Sequence, residues 1–176
     1  TGIGMMRDSF ASFSEHASEL NLQGHSHVWF LICGLVVAAV LHSSSATVAL
    51  ALTSLSAGVV SLEQSMLLVI GADMGTTATA ALATLKANAI KKRVGWSQVF
   101  FNVFSALMAW LMLPIYVSWS KTFDGYFDST MILAAFHTSM NVVGIFLFIP
   151  LIPVFSKKME SWIKADADSL TVSIHD

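Results

Sequence analysis

The sequence predicts an all-α integral membrane protein, and three observations carry that prediction. The chain is 55% hydrophobic and 11% charged, with a mean hydropathy of +0.70, whereas soluble domains carry roughly 25% charged residues. Its charged residues gather at the ends of long apolar runs. Inside those runs the polar residues are clustered, and polar groups at membrane depth usually face a cavity, a pathway or each other. We therefore expect the chain to bind something inside a bilayer.

The first segment, residues 1–26, is mixed in polarity. Phe10, Phe13 and Leu20 recur at helical spacing among charged residues, which is typical of an amphipathic helix at the membrane interface. The sequence shows no signal peptide, because it does not begin with a charged region that is followed by an apolar stretch and a cleavage site. The sequence looks like a piece of a longer protein.

The next unit, residues 28–60, contains no Asp, Glu, Lys or Arg. As one helix it would measure about 50 Å, against ~30 Å of hydrocarbon. Four adjacent polar residues, His42 to Ser45, interrupt it. We predict a re-entrant helical hairpin with arms Val28–Leu41 and Ala46–Val60 and a polar tip. The alternative is one long tilted helix that runs into a loop.

A discontinuous helix is predicted over residues 62–89. Ser61 and Gln64 have the spacing of a capping box at its start. The stretch Gly71 to Thr77 then places glycines, a carboxylate and hydroxyls where a span should be most apolar, and each glycine lowers helix stability by about 1 kcal/mol. A break here would expose free amide and carbonyl groups at depth.

Two uncharged spans follow, residues 96–119 and 130–155, and complete a unit over residues 27–156. Basic residues flank this pair of spans: Lys86, Lys91, Lys92 and Arg93 before it, and Lys157, Lys158 and Lys164 after it. The positive-inside rule puts both clusters, and a tail over residues 157–176, in the cytoplasm. The hairpin would then enter a plasma or bacterial inner membrane from outside.

Three motifs in order give the chain a family resemblance. They are Ser43-Ser44-Ser45 with its flanking residues, the run from Gly71 to Ala80, and Phe100-Phe101-Asn102. They resemble the QSSS, GANIGTT and FFN motifs of the sodium-dependent inorganic phosphate cotransporter family of type II, over roughly Gly2 to Pro153. That family is built from two inverted repeats with ions and phosphate between them. This chain resembles one repeat, the C-terminal half.

The resemblance implies sodium-coupled symport of inorganic phosphate, with the other inverted repeat and the lipid bilayer as partners. It implies no enzymatic activity and no cofactor, with sodium as co-substrate, and it leaves a homo-oligomer open. A net charge of -2 argues against nucleic acid as a partner.

The candidate site residues follow from the motifs and their chemistry. Phosphate needs several hydrogen-bond donors, and a helix start favours an anion. We expect phosphate at the hairpin tip, on His42, Ser43, Ser44 and Ser45. Sodium prefers oxygen ligands. We expect it on Asp73, Thr76, Thr79 and Asn102. No transition-metal site is expected, because the two histidines at His25 and His27 have no further matched ligand nearby.

Two residues depart from the family pattern. His42 stands where the family has Gln, and an imidazole would make transport sensitive to pH. Asp73 stands where the family has Asn, and its negative charge near an anionic substrate makes sense if a cation stands between them or the carboxylate is protonated.

Other interpretations remain beside this one. An intramembrane serine hydrolase would pair a serine of the triplet with His42 or His137, but no G-x-S-x-G elbow accompanies the serines. A packing subunit without a substrate would leave the polar residues around Asp73 unexplained. Asn102 alone would be read as interhelical glue. His137 and Asn141, four apart, are expected to form a structural pair.

Overall fold

The computed structural model describes residues 24–122 and 125–164, and every regular element in these ranges is helical. The elements are α1 (His27–Leu41), α2 (Ser44–Ser56), α3 (Leu62–Thr84), α4 (Ala89–Thr122), α5 (Ser129–Phe148), a 3-10 turn (Ile149–Leu151) and α6 (Ile152–Trp162). The all-α class is confirmed. The predicted interfacial segment over residues 1–26 lies almost entirely outside the described residues, as does the tail beyond residue 164.

Three segments are long and apolar enough to cross a membrane: Leu62–Thr84, Ala89–Thr122 and Ser129–Trp162. The last combines α5, the 3-10 turn and α6. Both later spans are longer than predicted, since α4 extends beyond 96–119 at both ends and the final segment continues past residue 155.

Helix α3 lies at the centre of the bundle and packs against α1, α2, α4 and α5. Its Met66, Leu67 and Val69 side chains are at most 1% exposed. The other helices close the core around it with buried apolar side chains, among them Phe30, Ala51, Ala106, Leu133 and Phe136. Because α3 is enclosed by protein, it can carry polar residues that lipid would not accept.

A stripe of small residues brings the backbones of α1 and α3 together. A Cβ added to Gly71 would lie 2.0 Å from the carbonyl oxygen of Leu31, and one added to Gly75 would lie 2.2 Å from that of Leu35. Gly34 makes the same approach from α1. The paired residues advance together along both helices, so α1 and α3 run parallel. Small residues at this spacing are typical of close helix contacts in membranes.

Helix α3 is continuous through Gly71–Thr77, so the predicted discontinuity is wrong. The glycines there do not break the helix, because they admit the backbone of α1 and the contact offsets their low helix propensity. The helix also ends at Thr84, earlier than residue 89. The predicted capping box is present, since Ser61 Oγ accepts from Gln64 N at 3.2 Å and Gln64 Oε1 accepts from Ser61 N at 2.8 Å.

The serine-rich stretch separates two short helices. His42 adopts a left-handed φ of 52°, and Ser43 then caps α2 by accepting a hydrogen bond from the N–H of Ala46 at 3.1 Å. Helices α1 and α2 contain 15 and 13 residues, or about 22 Å and about 20 Å, each less than the ~30 Å of hydrocarbon. Two predicted arms and the break between them are observed, although the second helix ends at Ser56 and not at Val60. Re-entry into the bilayer stays a prediction.

Helix α4 forms a long antiparallel pair with α5 and α6. The rings of Phe100 and Phe155 meet edge to face, 5.4 Å between centroids. Arg93 Nε donates to the carbonyl oxygen of Ile163 at 3.0 Å. This bond brings the start of α4 beside the end of α6, so the two basic clusters lie at the same end of the bundle.

The N-terminus of α1 lies at the end of the bundle opposite the basic clusters. His27 Nε2 is 3.3 Å from Glu63 Oε1, so α1 and α3 begin side by side. Helix α1 therefore advances toward the end that carries the basic clusters, which is the direction predicted for the hairpin relative to those clusters.

Candidate functional site

The link between α1 and α2 presents polar groups on a surface that the described residues do not cover. His42 and Ser45 are exposed, and Ser43 and Ser44 are half-buried. Ser44 and Ser45 also supply the first N–H groups of α2, which have no partner within the helix. The Ser43 hydroxyl is already engaged as the helix cap. The hydroxyls and N–H groups of Ser44 and Ser45, with the imidazole of His42, remain available to a ligand.

The register of α1 on α3 gives the height of this link in the bundle. Gly75 packs against both Leu35 and Ala38, and the same offset carried forward puts His42 level with the turn from Thr79 to Leu82. At 1.5 Å per residue, Asp73 lies about 9 Å from Thr79 along the α3 axis, toward the N-terminus of the helix. The polar link and Thr79 thus share a level that Asp73 does not.

The polar residues of α3 also point in different directions. At 100° per residue, Thr76 and Thr79 are turned about 60° and about 120° away from Asp73 to one side, and Thr77 is turned about 40° to the other. Thr77 faces α4, where it contacts Asn102. Helix α2 contacts α1, α3 and α5 but makes no comparable contact with α4 within the described residues, so α2 and α4 cover different sides of α3. Thr76 and Thr79 therefore face the side occupied by α2.

Asn102 binds the backbone of α3 and not the carboxylate of Asp73. Its Nδ2 donates to the Asp73 carbonyl oxygen at 3.1 Å and to Thr77 Oγ1. Thr77, 3% exposed, in turn donates to the same carbonyl at 3.1 Å. These bonds hold α4 to α3, as the interpretation of Asn102 as interhelical glue expects.

The carboxylate of Asp73 points toward α5, where His137 Nε2 lies 3.5 Å from Asp73 Oδ1. Asn141 Nδ2 donates to the His137 carbonyl oxygen at 3.0 Å. The pair expected between His137 and Asn141 is present, but His137 also faces the single carboxylate of the α3 interior. From the sequence we expected His137 to form a structural pair with Asn141 only. A histidine within an uncharged span is a signal that a polar partner lies nearby.

The structure divides the predicted site residues into two groups. The link group lies at the start of α2 and on the side of α3 that faces α2, and it contains His42, Ser43, Ser44, Ser45, Thr76 and Thr79. The carboxylate group contains Asp73 and Asn102, joined by Thr77 and His137. Within the described ranges no hydrogen bond connects the two groups, and Thr79 Oγ1 donates back to the carbonyl oxygen of Thr76 at 2.8 Å.

Comparison with known proteins supports the motif resemblance. A family model described as Na+/Pi-cotransporter matches residues 1–160. A protein of Bacillus subtilis (strain 168) named "Uncharacterized protein YqeW" is 28% identical over 135 residues, which are 77% of this chain and 43% of that protein. The chain thus spans less than half the length of this curated relative. No solved structure matches this chain.

Two independent findings now agree. The helices include three segments able to cross a membrane, and the family model covers the chain from its first residue through α5 and into α6. The protein is a multi-pass membrane protein, and this chain belongs to the Na+/Pi-cotransporter family.

Proposed function

We propose that the protein containing this chain is a secondary active transporter that couples inward movement of sodium to uptake of inorganic phosphate. The observation that carries the proposal is the interruption between α1 and α2, where a helix begins with serine hydroxyls and free N–H groups among apolar segments. Family membership supplies the substrate class. Among the described residues, no histidine, carboxylate or amine of a second element is hydrogen-bonded to these serines, so the proposal assigns them to binding and not to catalysis.

Phosphate would bind at the link group through Ser44, Ser45 and the exposed imidazole of His42. Each hydroxyl and each N–H can donate to a phosphate oxygen, and the start of α2 favours a negative charge. Ser43 would contribute by fixing the helix start through its cap. In this chain the link is open on one side, which suits completion of the site by the other inverted repeat.

Sodium would bind at Asp73, the charged anchor on α3, with Asn102 Oδ1 as a further oxygen atom nearby. Thr76 and Thr79, which the sequence also suggested as sodium ligands, face α2 and would belong to the link group. Asp73 lies in the interior of α3, far from the basic clusters at its end, and a carboxylate at membrane depth is costly without a positive partner. A bound sodium ion would neutralise that charge. It would also lower the electrostatic cost of bringing phosphate into the same region.

Coupling would arise because each ion raises the affinity of the protein for the other. Such linkage is reciprocal, so the factor by which sodium tightens phosphate binding equals the factor by which phosphate tightens sodium binding. Alternating access would come from rocking of this repeat against its inverted partner. The basic clusters at one end of the bundle support a cytoplasmic location of that end and of the C-terminus.

Phosphate uptake into liposomes tests the proposed coupling. The full-length protein is reconstituted, and uptake of radiolabelled phosphate is compared under an inward sodium gradient and an inward potassium gradient of equal size. We expect uptake above the protein-free background only with sodium. Equal uptake under the two gradients would refute sodium coupling.

The binding residues are tested by Ser44→Ala and Thr76→Val, with Thr53→Val as the control. Thr53 lies on α2, and its hydroxyl donates a hydrogen bond to the carbonyl oxygen of Ala49 in the same helix at 2.7 Å. Both variants change hydroxyls of the link group and should raise the phosphate concentration for half-maximal uptake, with similar amounts of folded protein. Values equal to those of the control variant would move the site elsewhere.

A further inference from the structure

A small cavity, lined mainly by apolar side chains with a few polar groups among them, lies between α3, α4 and α5 on the α5 side of Asp73. Its volume is about 20 Å³, and its polar lining comes from Asp73, Ser105, His137 and Asn141. The rest of its wall is apolar. A cavity needs about 10–15 Å³ to admit one water molecule, so this one has room for a single particle of that size.

The hydroxyl of Ser105 marks this cavity as a place that lacks an occupant. Ser105 Oγ is buried and has no hydrogen-bond partner within the described ranges. It is one turn beyond Asn102 on α4, and a Cβ added to Gly144 of α5 would lie only 2.7 Å from it. Buried hydroxyls in native proteins almost always have a partner. An occupant of the cavity would supply one.

Three oxygen-bearing groups from three helices converge on the cavity. Asp73 offers a carboxylate from α3, and Ser105 offers a hydroxyl from α4. Asn141 uses its Nδ2 to bond the His137 carbonyl oxygen, so its Oδ1 is the amide atom left for an occupant. His137 Nε2, 3.5 Å from Asp73 Oδ1, orients the carboxylate.

We propose that this cavity is a binding site for one dehydrated sodium ion, held by Asp73, Ser105 and Asn141 and positioned by His137. The inference rests on the proposed sodium coupling and adds to the predicted ligand Asp73 three residues that lie outside the motifs: Ser105, His137 and Asn141. Sodium is a hard cation that takes oxygen ligands, and without its hydration shell it is smaller than a water molecule, so the cavity can hold it. It satisfies the Ser105 hydroxyl and the Asp73 charge together.

A water molecule or a proton on His137, taken singly, satisfies only one of these two needs, and the two together are the alternative that the sodium-binding measurement below tests. A water molecule would bond to Ser105 but would leave the carboxylate charge without a counter-ion. A proton on His137 would neutralise Asp73 but would leave the cavity empty and Ser105 without a partner. The Asp73 and His137 side chains are 30% and 29% exposed, so an ion can reach the cavity.

Binding of radioactive sodium to the purified full-length protein, in detergent and without phosphate, tests the site. Ser105→Ala removes one ligand and should raise the sodium Kd about tenfold, as expected for loss of a bond to a charged group. Ser120→Ala is the matched control, because Ser120 lies on the same helix and donates to its own backbone at Val117, at 2.9 Å. The control should bind sodium like the wild type.

Two further variants protect the test against misfolding. Ser105→Cys keeps the shape of the side chain but replaces a hard oxygen with a soft sulfur, and it should also weaken sodium binding. Asp73→Asn should abolish saturable binding. Sodium affinity in Ser105→Ala and Ser105→Cys equal to that of Ser120→Ala would overturn the proposal and leave the cavity to water. Competition by potassium as strong as by unlabelled sodium would also overturn it.

The outcome is separable from that of phosphate uptake. Sodium binding lost in the Ser105 variants of a protein that moves no phosphate would support the cavity and reject the transport proposal. Sodium-driven phosphate uptake with unchanged sodium affinity in those variants would do the opposite.

Discussion

Gly71→Ala distinguishes two explanations for the glycines of α3, because they predict opposite signs. If Gly71 weakened the helix to allow a break, alanine would stabilise the protein by about 1 kcal/mol through its higher helix propensity. In the structure, the added Cβ would lie 2.0 Å from the Leu31 carbonyl oxygen and 2.9 Å from the Leu35 amide nitrogen. Backbone atoms on both sides cannot turn away as a flexible side chain could, so α1 would have to move outward by about 1 Å or more.

The magnitude follows from two opposing terms. Overpacking of a tight contact costs about 1–3 kcal/mol, and the upper end applies because the clash is with backbone. Subtracting about 1 kcal/mol of propensity gain leaves a net destabilisation of about 2 kcal/mol.

The assay is reversible unfolding in detergent, followed by intrinsic tryptophan fluorescence. Gly24→Ala is the control, since a Cβ at Gly24 meets nothing within 4 Å. We expect Gly71→Ala to unfold at clearly lower temperature or denaturant than wild type and Gly24→Ala to be close to wild type. A Gly71→Ala protein more stable than wild type would refute the proposed contact between α1 and α3.

Three further predictions concern single side chains. Ser61→Ala removes half of the capping box at the start of α3 and should lower the free energy of unfolding by about 1 kcal/mol. An unfolding midpoint equal to that of the wild type would contradict the role of the cap. Asn102→Leu removes the donor to the Asp73 carbonyl and Thr77 and should destabilise the protein by about 1–3 kcal/mol; unchanged stability would argue against a structural role in the contact between α3 and α4. His42→Ala removes one hydrogen-bonding group of the link group and should raise the phosphate concentration for half-maximal uptake, and an unchanged value would exclude this imidazole from the phosphate site.

The break between α1 and α2 was predictable because it follows from length and polarity alone. An uncharged run too long for one span, interrupted by His42 and three serines, must bend or leave the membrane. The structure has the interruption at His42 and Ser43. The capping box at Ser61 was predictable for the same reason, because its two partners are three residues apart.

The continuity of α3 was not predictable from its own residues. Gly71 and Gly75 lower helix propensity wherever they occur, and only the neighbouring backbone of α1 shows that they serve packing. Two glycines four residues apart are a sequence signal for such a contact. The carboxylate of Asp73 and the hydroxyls of Thr76 and Thr77, however, favoured the prediction of a break in the helix.

The neighbours of Asp73 were also out of reach. His137 and Ser105 come from later helices, and their approach to Asp73 depends on how α4 and α5 pack against α3. Helical spacing relates residues within one helix only. The separation of Asp73 from Thr76 and Thr79 could have been anticipated, since a continuous helix turns them to different sides.

Equilibrium phosphate binding at a series of sodium concentrations tests the central claim, coupling between the two ions, most directly. Radiolabelled phosphate is bound to the purified full-length protein, with choline replacing sodium to hold ionic strength constant. We expect phosphate affinity to rise with sodium concentration, and sodium affinity to rise with phosphate by the same factor. Phosphate affinity that does not change with sodium would contradict it.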